Sequence, residues 1–203
     1  LSTVCITARD AGLIVLGDAK RGDIGSTAAA YAAATLAPDA PFPCEALTVS
    51  PFLGPDSLQP FVDAATNWDR GLFVLLRTSN PGSSRWQGPV RNDLGAWIDS
   101  ENQRLAGGLG PIGAVVGATK REDILELRTQ MPNTWFLVPG FGAQGGSAAD
   151  ALAARRPDGL GALVNSARGA TFPTMFNPDY ERNPTAWIRA RIAETRRELA
   201  AGA

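Results

Sequence analysis

Six short apolar runs, at residues 13–19, 46–51, 71–77, 111–117, 135–139 and 161–165, alternate with stretches of helical character, and that alternation leaves few folds open. Strands separated each time by a helix pair in parallel, and a parallel sheet needs apolar cover on both faces. The spacing predicts helices over 24–36, 58–68, 89–105, 122–131, 148–155 and 185–201, the last one amphipathic. Residues 1–12 read as the last turns of a further helix, closed by Gly12. Leu58, Phe61, Val62 and Ala65 share one face of the second predicted helix, with Asp56 or Ser57 as its cap. Val90, Leu94, Trp97, Ile98 and Leu105 form the inner stripe of the third, after a polar loop that runs to Gly88. Polar and glycine-rich residues follow every run and do not gather at one switch point, which favours a β/α barrel over an open doubly wound sheet. A closed barrel of that kind has eight strands, and six are found here.

The first run, Leu13-Ile-Val-Leu-Gly-Asp-Ala-Lys-Arg-Gly-Asp-Ile-Gly25, reads as a buried strand that ends in charge. Alternation puts Ile14, Leu16, Asp18 and Lys20 on one face, so a carboxylate and an ammonium stand at the strand's C-terminal mouth. Two readings fit. Asp23 caps the next helix while Asp18 and Lys20 make a weak surface pair, or the three groups form a working charge cluster. Further along, the glycine-rich loop Gly140-Phe-Gly-Ala-Gln-Gly-Gly146 follows the fifth strand and Arg168 follows the sixth. Backbone N–H groups of such a loop, Gly145 among them, approach an anion closely, and an arginine supplies a fork for phosphate oxygens. Thr78-Ser79-Asn80 carries hydroxyls and an amide suited to a heterocycle edge, and reads equally well as a capped turn. Gly113-Ala-Val-Val-Gly117-Ala-Thr-Lys120 lacks the Gly-Lys-Ser/Thr order of a phosphate-binding P-loop.

Composition narrows the chemistry. There is no histidine, which excludes Ser-His-Asp and Cys-His catalysis within one chain and leaves acid–base work to Lys, Asp or Glu. The two cysteines, Cys5 and Cys44, have no C-x-x-C spacing and read as buried small residues of a reducing compartment. A formal charge of -1 points away from nucleic acid or an anionic membrane as partner. No run reaches the length of a membrane span and no signal peptide is visible, so the expectation is a soluble cytoplasmic protein with one domain over residues 1–203.

Asp18-Ala-Lys20-Arg-Gly-Asp23-Ile24, Ser50-Pro-Phe-Leu-Gly54, Thr78-Ser-Asn-Pro-Gly82, Pro139-Gly-Phe-Gly-Ala-Gln-Gly-Gly146 and Asn165-Ser-Ala-Arg168, in that order, resemble the orotidine 5'-phosphate decarboxylase family in its bacterial branch. The first motif alone is shared by a wider suprafamily; the ordered set is more specific. The resemblance implies a (β/α)8 TIM barrel whose first two βα units are missing from this chain. It implies decarboxylation of orotidine 5'-phosphate to uridine 5'-phosphate without metal or organic cofactor. Lys20 would protonate C6, Asp18 would hold that ammonium and crowd the substrate carboxylate, and Asp23 with Ile24 would reach into the neighbouring site of a homodimer. Ser79 would read the pyrimidine edge, and Gln144, Gly145 and Arg168 would bind the phosphate. A magnesium-dependent relative acting on a sugar phosphate, such as a keto-gulonate phosphate decarboxylase or hexulose phosphate synthase, or a non-catalytic ligand-binding remnant, are the alternatives.

Overall fold

In chain order the computed structural model contains α1 (Ser2–Asp10), β1 (Leu16–Arg21), α2 (Gly25–Leu36), β2 (Ala46–Val49), α3 (Pro55–Asn67), β3 (Gly71–Arg77), α4 (Ser83–Gln87), α5 (Arg91–Ala106), β4 (Ile112–Val116), α6 (Arg121–Gln130), β5 (Phe136–Val138), α7 (Ala148–Leu152), β6 (Ala162–Val164), α8 (Arg168–Thr171), α9 (Pro178–Arg182) and α10 (Pro184–Ala201). The structure describes residues 1–142, 145–171, 173 and 177–202. Every strand pair is parallel, and the sheet order is β1-β2-β3-β4-β5-β6 with no reversal. A doubly wound sheet reverses its order at a switch point; a sheet that only steps forward is an arc of a β/α barrel.

The period of two decides what each strand buries. Leu47, Val49, Leu72, Val74, Leu76, Ile112, Ala114, Val116, Phe136 and Val138 face the helices and join Leu58, Phe61, Val62, Ala65, Ile98, Ile124 and Leu127 in the larger core. The alternate residues Ala46, Phe73, Val115 and Leu137 form a second, smaller layer on the inner face, flanked by Leu16, Leu75 and Trp135. Gly113 is part of that inner layer for steric reasons: a Cβ there would lie 2.4 Å from the Phe73 ring and 2.9 Å from the Trp135 carbonyl.

The N-terminal ends of the strands are tied by one buried and one half-buried polar side chain. Asn102, fully buried, donates to the Ile112 carbonyl at 2.7 Å and accepts from the Ile112 N–H at 3.0 Å. Arg128 donates to the carbonyls of Ala154, Met131, Thr134 and Gly161 and lies 3.7 Å from the centre of the Phe136 ring. Burial, and then the charge of Arg156, pull its pKa down to about 10, which leaves it charged at neutral pH.

Several sequence expectations change. The first run is not a buried strand throughout: β1 begins only at Leu16, and Leu13 and Ile14 are 63% and 82% exposed. The cause is position, since β1 is an edge of the sheet and has a pairing partner on one side only. Neither Asp56 nor Ser57 caps α3. Its N-cap is Gly54 at φ +102, Pro55 opens the first turn, and the Ser57 hydroxyl donates to the Gly54 carbonyl at 2.6 Å. The polar loop before Gly88 contains the one-turn helix α4, and Val90 precedes α5, 53% exposed, outside the predicted stripe. The seventh helix stops at Leu152, short of Arg155. The turn closed by Gly12 is as expected, with φ +77. Cys5 and Cys44 are both buried free thiols, and burial, then the neighbouring Cys5, push Cys44 up to about 11. No helix among the described residues is long and apolar enough to cross a membrane.

Candidate active site

The described polar residues singled out from sequence lie at the C-terminal ends of the strands, Asp18 and Lys20 within β1 and Asp23 and Ser79 just past β1 and β3. Lys20 Nζ meets Asp18 Oδ1 at 2.5 Å, with both side chains about half exposed, so the two charges predicted to share a face do so. The backbone does not follow simple alternation to bring this about. The β1–β2 register shifts between Gly17 and Arg21, and Lys20 takes φ +49, the left-handed region that a side chain disfavours.

Thr48 of β2 holds this bend. Its hydroxyl oxygen accepts from the Lys20 backbone N–H at 2.9 Å and its proton goes to Asp18 Oδ1 at 3.0 Å, closer than the 3.5 Å to the Gly17 carbonyl. Thr48 is wholly buried, so one side chain fixes the main chain of the lysine and the carboxylate of its partner. Sequence reading missed it because a threonine in Ala-Leu-Thr-Val looks like ordinary strand composition. The available signal was parity: Thr48 lies two residues after Ala46, which pairs with Leu16, so both stand on the inner face.

Asp23 does not cap α2 in the usual way. The N-cap is Ile24, and Asp23 Oδ1 accepts the Ile24 N–H at 2.8 Å, one residue ahead of the helix. Gly22 passes close to the end of β2 where the chain turns out of β1: a Cβ there would lie 3.1 Å from the Ser50 carbonyl oxygen, a tight contact. Ile24, Phe52 and Leu53, all after β1 and β2, are 60%, 83% and 49% exposed.

Ser79 follows β3. Its backbone passes so close to Gly117, at the end of β4, that a Cβ on Gly117 would be 2.9 Å from the Ser79 nitrogen. Beneath this loop lies a charged group that sequence reading also missed. Arg77 is 5% exposed and donates to Asp123 Oδ2 at 2.6 Å, Ser83 Oγ at 2.6 Å and Ser84 Oγ at 2.9 Å. Arg91 bonds the other Asp123 oxygen and also Glu126. Burial pushes the Asp123 carboxyl upward, but the hydrogen bonds and charges of Arg77 and then Arg91 outweigh it and hold its pKa below the ordinary carboxylate value.

The glycine-rich loop packs against the end of β4. Gly140, Gly142 and Gly145 have φ of +98, +70 and +90, and Gly146 could not carry a Cβ, which would fall 2.7 Å from that of Ala118. Gly145 donates its N–H to the Gly142 carbonyl at 2.8 Å. Gln144 lies outside the described residues, as does the Arg168 side chain; the Arg168 backbone opens α8 directly after β6. The arrangement is therefore a lysine–carboxylate pair on β1, a pinned polar loop after β3, and a tight glycine loop and helix start after β5 and β6. The pair on β1 can present a proton donor, while the N–H groups of Gly142, Gly145 and Gly146 are bonded within their own loop.

The model of the orotidine 5'-phosphate decarboxylase / HUMPS family matches residues 3–168. The chain is 50% identical over 184 residues to an orotidine 5'-phosphate decarboxylase of Rhodopirellula baltica, covering 85% of this chain and 61% of that one. It is 38% identical over 197 residues to the corresponding protein of Clostridium novyi, covering 93% and 68%. Among solved structures it is similar to Leishmania donovani OMP decarboxylase, with a TM-score of 0.78, 35% identity, and coverage of 99% of this chain and 72% of the other. The chain thus spans about three fifths of the length of its Rhodopirellula relative.

Proposed function

Because the chain belongs to the orotidine 5'-phosphate decarboxylase / HUMPS family, we propose that it carries the catalytic part of an enzyme of pyrimidine biosynthesis that converts orotidine 5'-phosphate to uridine 5'-phosphate and carbon dioxide. The observation that carries this reading is the 2.5 Å pair of Lys20 and Asp18, set by Thr48 at the end of β1. Loss of carbon dioxide leaves an electron pair at C6 of the pyrimidine; the Lys20 ammonium stabilises it by charge and delivers the proton that forms the new C–H bond. Asp18 orients that ammonium and disfavours a substrate carboxylate held beside it, an effect relieved as the carboxylate departs.

Ser79 reads the pyrimidine edge, and Gln144, Gly145 and Arg168 take the phosphate. The exposed Ile24, Phe52 and Leu53 fit a homodimer in which Asp23 and Ile24 complete the partner's site. The chemistry needs no metal or organic cofactor, and the substrate is a metabolite of the cytoplasm.

The test is loss of orotidine 5'-phosphate absorbance, measured with this chain extended at its N-terminus by the preceding βα units of a relative. Turnover that survives a chelator supports the reading over a magnesium-dependent sugar-phosphate enzyme. Lys20→Ala should reduce turnover below a few per cent while leaving affinity for uridine 5'-phosphate within severalfold. A Lys20→Ala enzyme that keeps substantial activity would remove Lys20 as the acid.

A further inference from the structure

We propose that Gln87 is a positioning residue for pyrimidine recognition, holding Ser79 through the residue before it, Thr78. The inference deepens the reading above and rests on it. Its basis is how α4 is fastened across the end of β3. At the start of α4, the buried Arg77 guanidinium holds Ser83 and Ser84. At its other end, Gln87 Oε1 accepts the Thr78 backbone N–H at 2.8 Å, and Gln87 Nε2 donates to Thr78 Oγ1 at 2.9 Å.

The Thr78 hydroxyl has one proton and two acceptors within reach, Asn80 Oδ1 at 2.6 Å and Gln87 Oε1 at 3.2 Å; the shorter contact takes it. A directed chain results, from the Gln87 amide to the Thr78 hydroxyl to the Asn80 side chain. Ser79 sits between these two anchored residues, and its backbone rests against Gly117 on the opposite side. The Ser79 peptide is thus held from its N-terminal side by Gln87, eight residues further on in a helix pinned at its first residues, while the Thr119 hydroxyl donates to the Ser79 carbonyl at 3.4 Å from the other side. A hydrogen-bonding group that reads a base edge needs placement to a fraction of an ångström, and this splint supplies it from outside the site.

The test compares the parent with Gln87→Met, which keeps length and loses both bonds, and Gln87→Glu, which keeps an acceptor for the Thr78 N–H and loses the donor. Turnover of orotidine 5'-phosphate by the extended parent is measured first. A parent without turnover overturns the proposed function, and this inference with it. With an active parent, two affinities are read for each variant, as inhibition constants: one for uridine 5'-phosphate, which presents a base, and one for ribose 5-phosphate, which does not. Gln87→Met should weaken uridine 5'-phosphate at least tenfold, change ribose 5-phosphate less than twofold, and speed amide hydrogen exchange at Thr78 and Ser79. Gln87→Glu should fall between Gln87→Met and the parent. Equal loss for both ligands would mean that Gln87 is only structural, and no loss for either would mean that Ser79 is placed without it; either result overturns the proposal.

Discussion

Lys20 sits at φ +49, where a residue with a side chain pays of order 1–3 kcal/mol relative to ordinary backbone, and the strain persists because Thr48 supplies the partner for its N–H. That conformation was not legible in Asp-Ala-Lys-Arg-Gly-Asp, although the charges themselves were. Residue type announces a charge; the bulge that aims it depends on β2, a strand far away in sequence. The same holds for Arg77, which reads as the polar end of a strand and is instead the buried hub joining β3, α4 and α6 through Ser83, Ser84 and Asp123.

Replacing Asp123 by Asn leaves Arg77 without its counter-charge and Arg91 with Glu126 alone. With Arg77 buried and Asp123 partly so, the cost should be about 2–4 kcal/mol at neutral pH, near the lower end of what a broken buried pair loses. The sign of the pH dependence follows from the lowered pKa of Asp123. Its contribution is complete above the unfolded carboxylate value and disappears as pH falls through the folded one. Urea unfolding should therefore show a constant gap between parent and Asp123→Asn from pH 7 to about 5, narrowing below about pH 4. A gap that stays the same in acid would mean the charge pair is not its source.

At the scale of elements, the strands were the most legible part, since a run such as Gly71–Arg77 buried on both faces leaves a continuous apolar signal. The run at 13–19 failed because apolar composition promises burial only where both neighbours exist, and β1 has only β2. Helix α4 was not legible since five residues span little more than one turn and show no period. What no strand pattern reveals is which glycine is forced. Gly113 lies on the inner face of β4 under the Phe73 ring, with a backbone carbonyl as the second obstacle. A ring can tilt, but the Trp135 carbonyl is part of the β4–β5 ladder, where it accepts the Ala114 N–H at 2.8 Å. Gly113→Ala should thus destabilise by about 1–3 kcal/mol, the usual range for overpacking. The expected reading is a lower urea midpoint with an unchanged slope; a midpoint equal to the parent's would show that the inner layer has room to spare.

Among the described residues the sheet is an arc with β1 and β6 as its edges. On the inner face Leu16 at one edge is partly exposed and Leu163 at the other is 44% exposed, while Phe73, Val115 and Leu137 between them are buried. Apolar burial on the inner face thus thins toward both ends of the sheet, where each edge strand has one neighbour. The short chain is therefore expected to be a poor decarboxylase by itself, for two separable reasons. One is stability: each large side chain left uncovered forgoes ~1.5–3 kcal/mol, a sizeable part of the ~5–15 kcal/mol that holds a domain together. Parallel edges such as β1 and β6 also invite pairing with other chains, so self-association should accompany the loss. The other is chemical. Electrostatic stabilisation of a carbanion depends on a row of fixed charges, of which this arc supplies the Asp18–Lys20 pair on one edge strand. Size-exclusion chromatography and the absorbance assay, run on the 203-residue chain and on the extended one, separate the two causes. If only stability is at fault, the monomeric or dimeric fraction of the short chain, isolated in the cold, should approach the rate of the long one. If the charge row is also incomplete, that fraction should stay below a few per cent of it, which is the outcome expected here. A 203-residue chain that is monodisperse and as fast as the extended form would refute the view that the six-stranded arc is too open to work alone.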